Sequence, residues 1–389
     1  MEQNLSLYER LSKADDSNKA GIFYHYLSQQ ANKLKKPNSI QLELLPLCNF
    51  NCSFCYVRKT NDELEKSGQH ILRLNDWKYY IDESKKLGVN AVTLSGGECT
   101  IHPDFKEIYE YAYKQQMRLS IITNGSCITD QIFQLFEKYP PEKIAITMYG
   151  MSRKTYERTC GNGAAFEKVL FNIDRLKHRG FNVLINYTAG KDNFCDMEEV
   201  LNYARKNHLS AFPMDALMAS ENCSNIVENG IVDHKEYRKI LNKHYSALYN
   251  IPLEDYENYI FNSYFIQTEH HKKGLPCSAT KSMISINWLG MMIPCVTFNM
   301  IQFDPRLLGF ENCWEQIKTW GSEVPILQEC EDCIFQTKCA LCPALHYIDT
   351  GEFGKVSSRF CFKKIYPEEA AKIQALYESQ KSKTTDGKE

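Results

Sequence analysis

The chain has 389 residues, room for two or three domains, and its 43% hydrophobic and 24% charged residues exclude a disordered or fibrous chain. Forty-six Lys and Arg against 48 Asp and Glu leave a formal net charge of −2, so no global basicity asks for nucleic acid or an anionic membrane. The N-terminal MEQNLSLYERLSKADD lacks the apolar core of a signal peptide, and no stretch approaches the ~18 uninterrupted apolar residues of a membrane span, which points to the cytoplasm.

Residues 1–38 are polar, end Lys-rich, and read as a helical arm. From residue 39 short apolar runs alternate with amphipathic stretches. SIQLELLP reads as a strand and DWKYYIDESKKLG as a helix; NAVTLSGG and PDFKEIYEYAYKQ repeat the pair. RLSIITNG with DQIFQLFEKY, KIAITMYG with AFEKVLFNIDRLKHRG, and NVLINYTAG with MEEVLNYARKNH continue it, and SAFPMDALM closes the series. Six strands, most followed by a helix, predict a parallel α/β unit, either an open barrel or a doubly wound sheet, with its functional loops at the strands' C-terminal ends. This unit is set at 39–250, followed by a linker at 251–276 and a second unit at 277–370. SMISINWLGMMIPCV alternates around Asn287–Gly290 and reads as a β-hairpin. The chain then turns loop-rich, burying too little apolar surface to hold itself easily, and metal clusters would supply the missing crosslinks. Residues 371–389 read as a helix end and a solvated tail.

Sixteen cysteines are many for a chain in a reducing compartment, where ligation explains them better than disulfides. Cys48, Cys52 and Cys55 form a CxxxCxxC directly after the first strand. Cys277, Cys295, Cys330, Cys333, Cys339, Cys342 and Cys361 populate the last third. The scattered Cys99, Cys127, Cys160, Cys195, Cys223 and Cys313 read as small buried hydrophobes. Three close thiolates can hold three corners of a [4Fe–4S] cluster and leave one iron open. A structural zinc site would need a fourth ligand nearby, and the nearest candidates are His70 and Cys99. Ser95-Gly96-Gly97-Glu98 ends the second strand; its glycines admit a close backbone approach, and Glu98 offers a carboxylate to an ammonium group.

These residues resemble the radical S-adenosylmethionine (SAM) superfamily: Cys48, Cys52, Phe54 and Cys55 fill its CxxxCxΦC motif, with the Gly-Gly-Glu segment in order one βα unit later. The resemblance implies a partial (β/α)6 TIM-like barrel. It also implies a [4Fe–4S] cluster whose open iron is chelated by SAM and whose electron splits the sulfonium to a 5′-deoxyadenosyl radical. It places Gly96, Gly97 and Glu98 at the methionyl ammonium and the backbone near Phe54 at the adenine. Asn124, Thr147 and, more loosely, Arg158 would face the ribose or carboxylate. Asn124 reads equally as a turn residue before Gly125, and Thr147 as a β-branched strand residue. His102 reads as a helix-start residue without chemistry. A low-potential donor such as flavodoxin or ferredoxin would supply the electron.

The C-terminal pattern, Cys277-x12-Gly290-x4-Cys295 and then CxxC-x5-CxxC before Cys361, resembles the SPASM extension of the same superfamily, with two auxiliary [4Fe–4S] clusters. By position Cys330, Cys333, Cys339 and Cys361 would hold the outer cluster, and Cys277, Cys295 and Cys342 the inner one. Cys313, His270 and His271 are outside candidates for a fourth inner ligand, with packing the expected role of Cys313. Structural zinc is the alternative, though seven cysteines do not divide evenly among four-ligand sites. SPASM-bearing members mostly act on peptides or proteins, so the expected activity is maturation of a ribosomally made peptide by a thioether or carbon–carbon crosslink or by epimerisation. The leader is too short for a separate peptide-recognition domain, so recognition would use the barrel surface or a separate leader-binding protein. Cys223, just after the sixth strand, is a candidate hydrogen donor to a substrate radical. The alternatives are a radical dehydrogenase acting on a sulfatase, a sugar or another small molecule, and a non-catalytic zinc- or cluster-stabilised scaffold.

Overall fold

The computed structural model describes residues 12, 16–215, 232–263, 273–336, 339 and 342–385. Six strands and their helices follow one another as the alternation predicts: β1 (Ser39–Glu43), β2 (Ala91–Ser95), β3 (Arg118–Thr123), β4 (Lys143–Thr147), β5 (Val183–Thr188) and β6 (Ser210–Met214). Ahead of them lies α1 (Asp16–Leu34). Between them run α2 (Asn61–Ser67), α3 (Leu74–Lys86), α4 (Phe105–Lys114), α5 (Asp130–Lys138), α6 (Arg153–Cys160), α7 (Ala165–His178) and α8 (Met197–Lys206). Every pairing from β1 to β6 is parallel and between sequence neighbours, with Ile40 opposite Val92 and Ile121 opposite Ile144. Alternate strand residues (Ile40, Leu42, Val92, Leu94, Leu119, Ile121, Ile144, Ile146) are buried in one continuous core with Trp77, Tyr109, Phe136 and Ile173 of the helices. The result is the α/β partial barrel that the strand–helix rhythm and the motif resemblance lead one to expect.

Two features depart from the sequence reading. The hairpin of β7 (Met283–Ile286) and β8 (Met292–Ile293) forms around Asn287–Gly290 as expected, with Gly290 at φ 82°. Yet it does not stand in the C-terminal unit: β7 pairs in parallel with β1, Ser39 opposite Met283, so the sheet order is β6-β5-β4-β3-β2-β1-β7-β8. Its apolar Ile284 and Ile286 complete the barrel core, a reason for joining the sheet that local alternation does not reveal. The presumed linker also carries a helix: α9 (His234–Tyr249) is followed by α10 (Leu253–Ser263), packed against it.

Beyond the hairpin come α11 (Pro305–Leu308), α12 (Phe310–Glu323), α13 (Pro343–Thr350), α14 (Phe362–Ile365) and α15 (Pro367–Thr385). This region has two small apolar clusters, each with cysteines against it. Leu275, Ala279, Phe298, Val324 and Ala344 pack with Cys295 and Cys342; Phe335, Phe362, Ala370 and Ile373 pack with Cys333 and Cys339. Neither is large enough to substitute for a domain core. Among the described residues no helix is long and apolar enough to cross a membrane.

Candidate active site

The C-terminal ends of the strands carry the site. After β1 the chain runs Leu44–Leu47 alongside β2 and then turns into the three-cysteine loop. Leu44 N donates to Ser95 O (2.9 Å), Gly97 N to Leu45 O (2.7 Å) and Glu98 N to Leu47 O (3.0 Å). These bonds lay the two segments against each other so closely that only glycine fits. A Cβ on Gly97 would stand 2.2 Å from Leu47 O, and one on Gly96 2.5 Å from Leu45 O, with Gly96 at φ 129° besides. The close approach read from the glycines is therefore made by the chain's own backbone, the stretch that delivers Cys48.

Glu98 is also turned inward. Its fully buried carboxylate accepts from Thr100 Oγ1 (2.5 Å), Thr100 N (3.2 Å), Thr123 Oγ1 (2.7 Å) and Asn124 N (2.7 Å), tying the end of β2 to the end of β3. Burial outweighs those four donors and holds its pKa above the ordinary carboxylate value. Asn124 is both turn residue and site residue. Its Oδ1 accepts from Ser126 N (2.9 Å), while its Nδ2 donates to Asn49 Oδ1 (2.8 Å) and, at 3.8 Å, to Cys48 Sγ.

Cys48, Cys52 and Cys55 sit half-buried on one loop, braced by three bonds from two neighbouring segments. Asn51 N donates to Cys160 O (2.8 Å) and Ser53 N to Thr159 O (3.0 Å) at the end of α6, and Ser53 Oγ donates to Asp192 (3.0 Å) after β5. Cys48 Sγ accepts from Phe50 N (3.4 Å) and Cys55 Sγ from Arg58 N (3.3 Å). Burial pushes the Cys48 thiol up to about 12 and the Cys52 thiol well above its usual range, so these groups stay protonated until a ligand draws the protons off. The Phe54 ring lies near-parallel to Tyr149 (6.4 Å, 25°), and the Tyr149 side chain interacts with Cys52. The sequence signal for Tyr149 is only its place two residues past the end of β4, in ITMYG. Thr147 ends β4 opposite Asn186. Arg158 is exposed and already engaged: Nε donates to Asp192 O (2.6 Å) and Nη2 to Cys195 Sγ (3.4 Å), so it braces the loop after β5. His102, buried, accepts from Asp104 N (3.0 Å) and bonds Leu72 O (2.9 Å), a helix-start role as read.

The C-terminal thiols fall into two neighbouring groups. Cys330, Cys333, Cys339 and Cys361 interact with one another, and Cys277, Cys295 and Cys342 form the second set. Burial lifts Cys330 to about 12 and both Cys339 and Cys295 to about 11. All described cysteines are free thiols, and among the described residues no three Cys, His, Asp or Glu converge tightly enough to hold a single metal ion. Cys313 packs in the barrel core beside Trp314, as expected, and Cys99 and Cys160 are buried. Cys127 is only half-buried and Cys195 exposed, because both fall in loops at the strand ends rather than on core-facing positions. Cys223, His270 and His271 lie outside the described residues.

Residues 42–204, which hold the three-cysteine loop and all the strand ends up to β5, match the model of the Radical SAM superfamily. That segment is a radical SAM domain. The AdoMet-dependent heme synthase of Methanosarcina barkeri (strain Fusaro / DSM 804) is 24% identical over 335 residues, 82% of this chain and 94% of that protein. The antilisterial bacteriocin subtilosin biosynthesis protein AlbA of Bacillus subtilis (strain 168) is 22% identical over 329 residues, 80% of this chain and 68% of that one. Among solved structures, Streptococcus suis SuiB bound to S-adenosylmethionine shares the fold at TM-score 0.63 and 15% identity, over 87% of this chain and 82% of that one.

Proposed function

We propose that this enzyme modifies a peptide, with Cys48, Cys52 and Cys55 holding the SAM-binding cluster and the two C-terminal thiol sets holding auxiliary clusters. The observation that carries the reading is the division of the seven late cysteines into a set of four and a set of three around separate small cores, behind a three-thiol loop at the barrel mouth. The donor set suits iron–sulfur clusters: the Cys48 and Cys55 sulfurs already accept N–H bonds, and the later cysteines lie in a region too thin to hold together on apolar burial. When bound, such a cluster supplies the electron that splits the sulfonium of SAM, giving the deoxyadenosyl radical that takes hydrogen from substrate. The chain's own residues orient that chemistry. The Leu44–Leu47 strap and the Gly96–Gly97 turn fix the loop, Glu98 and Asn124 lock the rims of β2 and β3 beneath it, and Phe54 and Tyr149 give an aromatic wall for the nucleoside.

A peptide substrate is supported by AlbA, whose name places it in bacteriocin biosynthesis, and by SuiB, also seen bound to its precursor peptide SuiA. A small-molecule reading is favoured by one finding, the match to the heme synthase along 94% of its length. Mass spectrometry after anaerobic co-expression with a short peptide encoded beside this gene separates them. Loss of two hydrogens per crosslink, or an unchanged mass with an inverted stereocentre, supports the peptide. An untouched peptide, with turnover on a tetrapyrrole or another small molecule, supports the second reading.

A further inference from the structure

A buried carboxylate that neither the cluster loop nor the SAM-facing residues use lies at the C-terminal end of β1. Glu43 is 4% exposed, and Tyr56, the residue after Cys55, donates to its Oε1 at 2.6 Å. No described residue bonds its second oxygen. Glu43 and Tyr56 line a cavity of about 160 Å³. One wall is the segment leaving the three-cysteine loop, including Lys59; the other is the β7–β8 turn with Trp288, and the stretch after Cys295. The cavity thus lies between the SAM-side thiols and the inner C-terminal set, and Tyr56 is within electrostatic reach of both Cys55 and Cys295. Its volume suits one benzene-sized group, since an engineered cavity of ~150 Å³ holds benzene.

We propose that this cavity is an anchoring subsite for an amide group of the substrate, with the free oxygen of Glu43 accepting the amide N–H and Lys59 at the rim facing its carbonyl. Lys59 Nζ stands 5.9 Å over the Trp288 ring, so a cationic group is repelled on that side, while a group without a donor leaves Glu43 unsatisfied. An amide meets both demands, and one peptide unit fills the space. Glu43 and Tyr56 act here as positioning residues, and the inference rests on the peptide reading above.

Trp288, in the wall, reports occupancy. N-methylacetamide and methyl acetate, the same size but differing in the N–H, are titrated at millimolar concentrations and pH 8, where the Glu43 carboxylate is an acceptor, into the anaerobic full-length protein while tryptophan fluorescence is followed. The W288F variant assigns the signal. The expected result is at least tenfold tighter binding of the amide, a preference abolished in Glu43→Leu and largely kept in Glu43→Gln, which retains an acceptor. A fallback variant, Tyr56→Phe, keeps the cavity shape and preserves the preference. Equal binding of amide and ester, or a preference unchanged in Glu43→Leu, overturns the subsite. Deoxyadenosine release from SAM, measured on the same wild-type preparation, separates the two failures: a protein that cleaves SAM but shows no amide preference loses only the subsite.

Discussion

Replacing Gly97 by Ala tests how the barrel rim holds the cysteine loop. A Cβ there meets Leu47 O at 2.2 Å, Leu47 C at 2.7 Å and Pro46 O at 2.9 Å, all backbone atoms that cannot rotate away. Ordinary carbon–oxygen contacts need about 3.3 Å or more, so the Pro46–Leu47 segment must retreat by roughly 1 Å. That movement breaks the bonds from Gly97 N to Leu45 O and from Glu98 N to Leu47 O, at about 1 kcal/mol each, on top of about 1–3 kcal/mol for overpacking. The expected loss is about 3–5 kcal/mol, a large share of the ~5–15 kcal/mol that a domain possesses. Urea unfolding under anaerobic conditions reads the loss, and iron content after reconstitution reads the displaced Cys48. The control is Gly21→Ala in α1, where nothing lies within 4 Å of the added carbon and the change is neutral or stabilising by up to about 1 kcal/mol. A Gly97→Ala protein with the wild-type urea midpoint and full iron content refutes the reasoning.

Burial lifts the Glu43 pKa to about 7, so the folded protein keeps a proton that the unfolded chain releases above pH 4.5. Stability from this group is full below pH 4.5 and is lost as pH rises toward 7, by about 3 kcal/mol in total. Glu43→Gln should therefore gain on wild type between pH 5.5 and pH 8 in anaerobic urea titrations, and a constant difference between the two proteins contradicts the buried-acid assignment. Glu98→Ala strips a buried acceptor from four donors and should cost about 3–5 kcal/mol, with a matching fall in urea midpoint; a midpoint unchanged within error contradicts the cross-tie. Wild-type protein reconstituted anaerobically should bind about twelve iron per chain, and Cys330→Ala with Cys333→Ala should lose about four. Iron unchanged in that double variant, or zinc in place of iron, refutes the outer cluster.

The barrel was legible because each strand is a short apolar run and each helix carries its own amphipathic period, signals that need no distant partner. The three-cysteine loop was legible because its spacing is local. What escaped depends on contacts between residues far apart in sequence. Met283–Ile286 reads as half of an isolated hairpin until β1 is beside it, more than 200 residues upstream. Glu98 reads as a free carboxylate until Thr123 and Asn124 close on it from the next βα unit. The glycines at 96 and 97 announced a close approach without saying what approaches, and the answer, the Leu44–Leu47 backbone, lies fifty residues earlier. Glu43 and Tyr56 gave no local signal, since an acid at a strand end is ordinary until its second wall, the Trp288 turn, folds over it.

The most direct test of the account is the fate of SAM. Anaerobically reconstituted protein given a low-potential reductant and SAM is assayed for 5′-deoxyadenosine and methionine, beside a variant with Cys48, Cys52 and Cys55 all changed to Ala. Wild type should release both products in equimolar amounts and the variant neither, whereas intact, cluster-loaded wild type that releases no deoxyadenosine, with or without candidate substrates, rules out SAM cleavage at the three-cysteine loop.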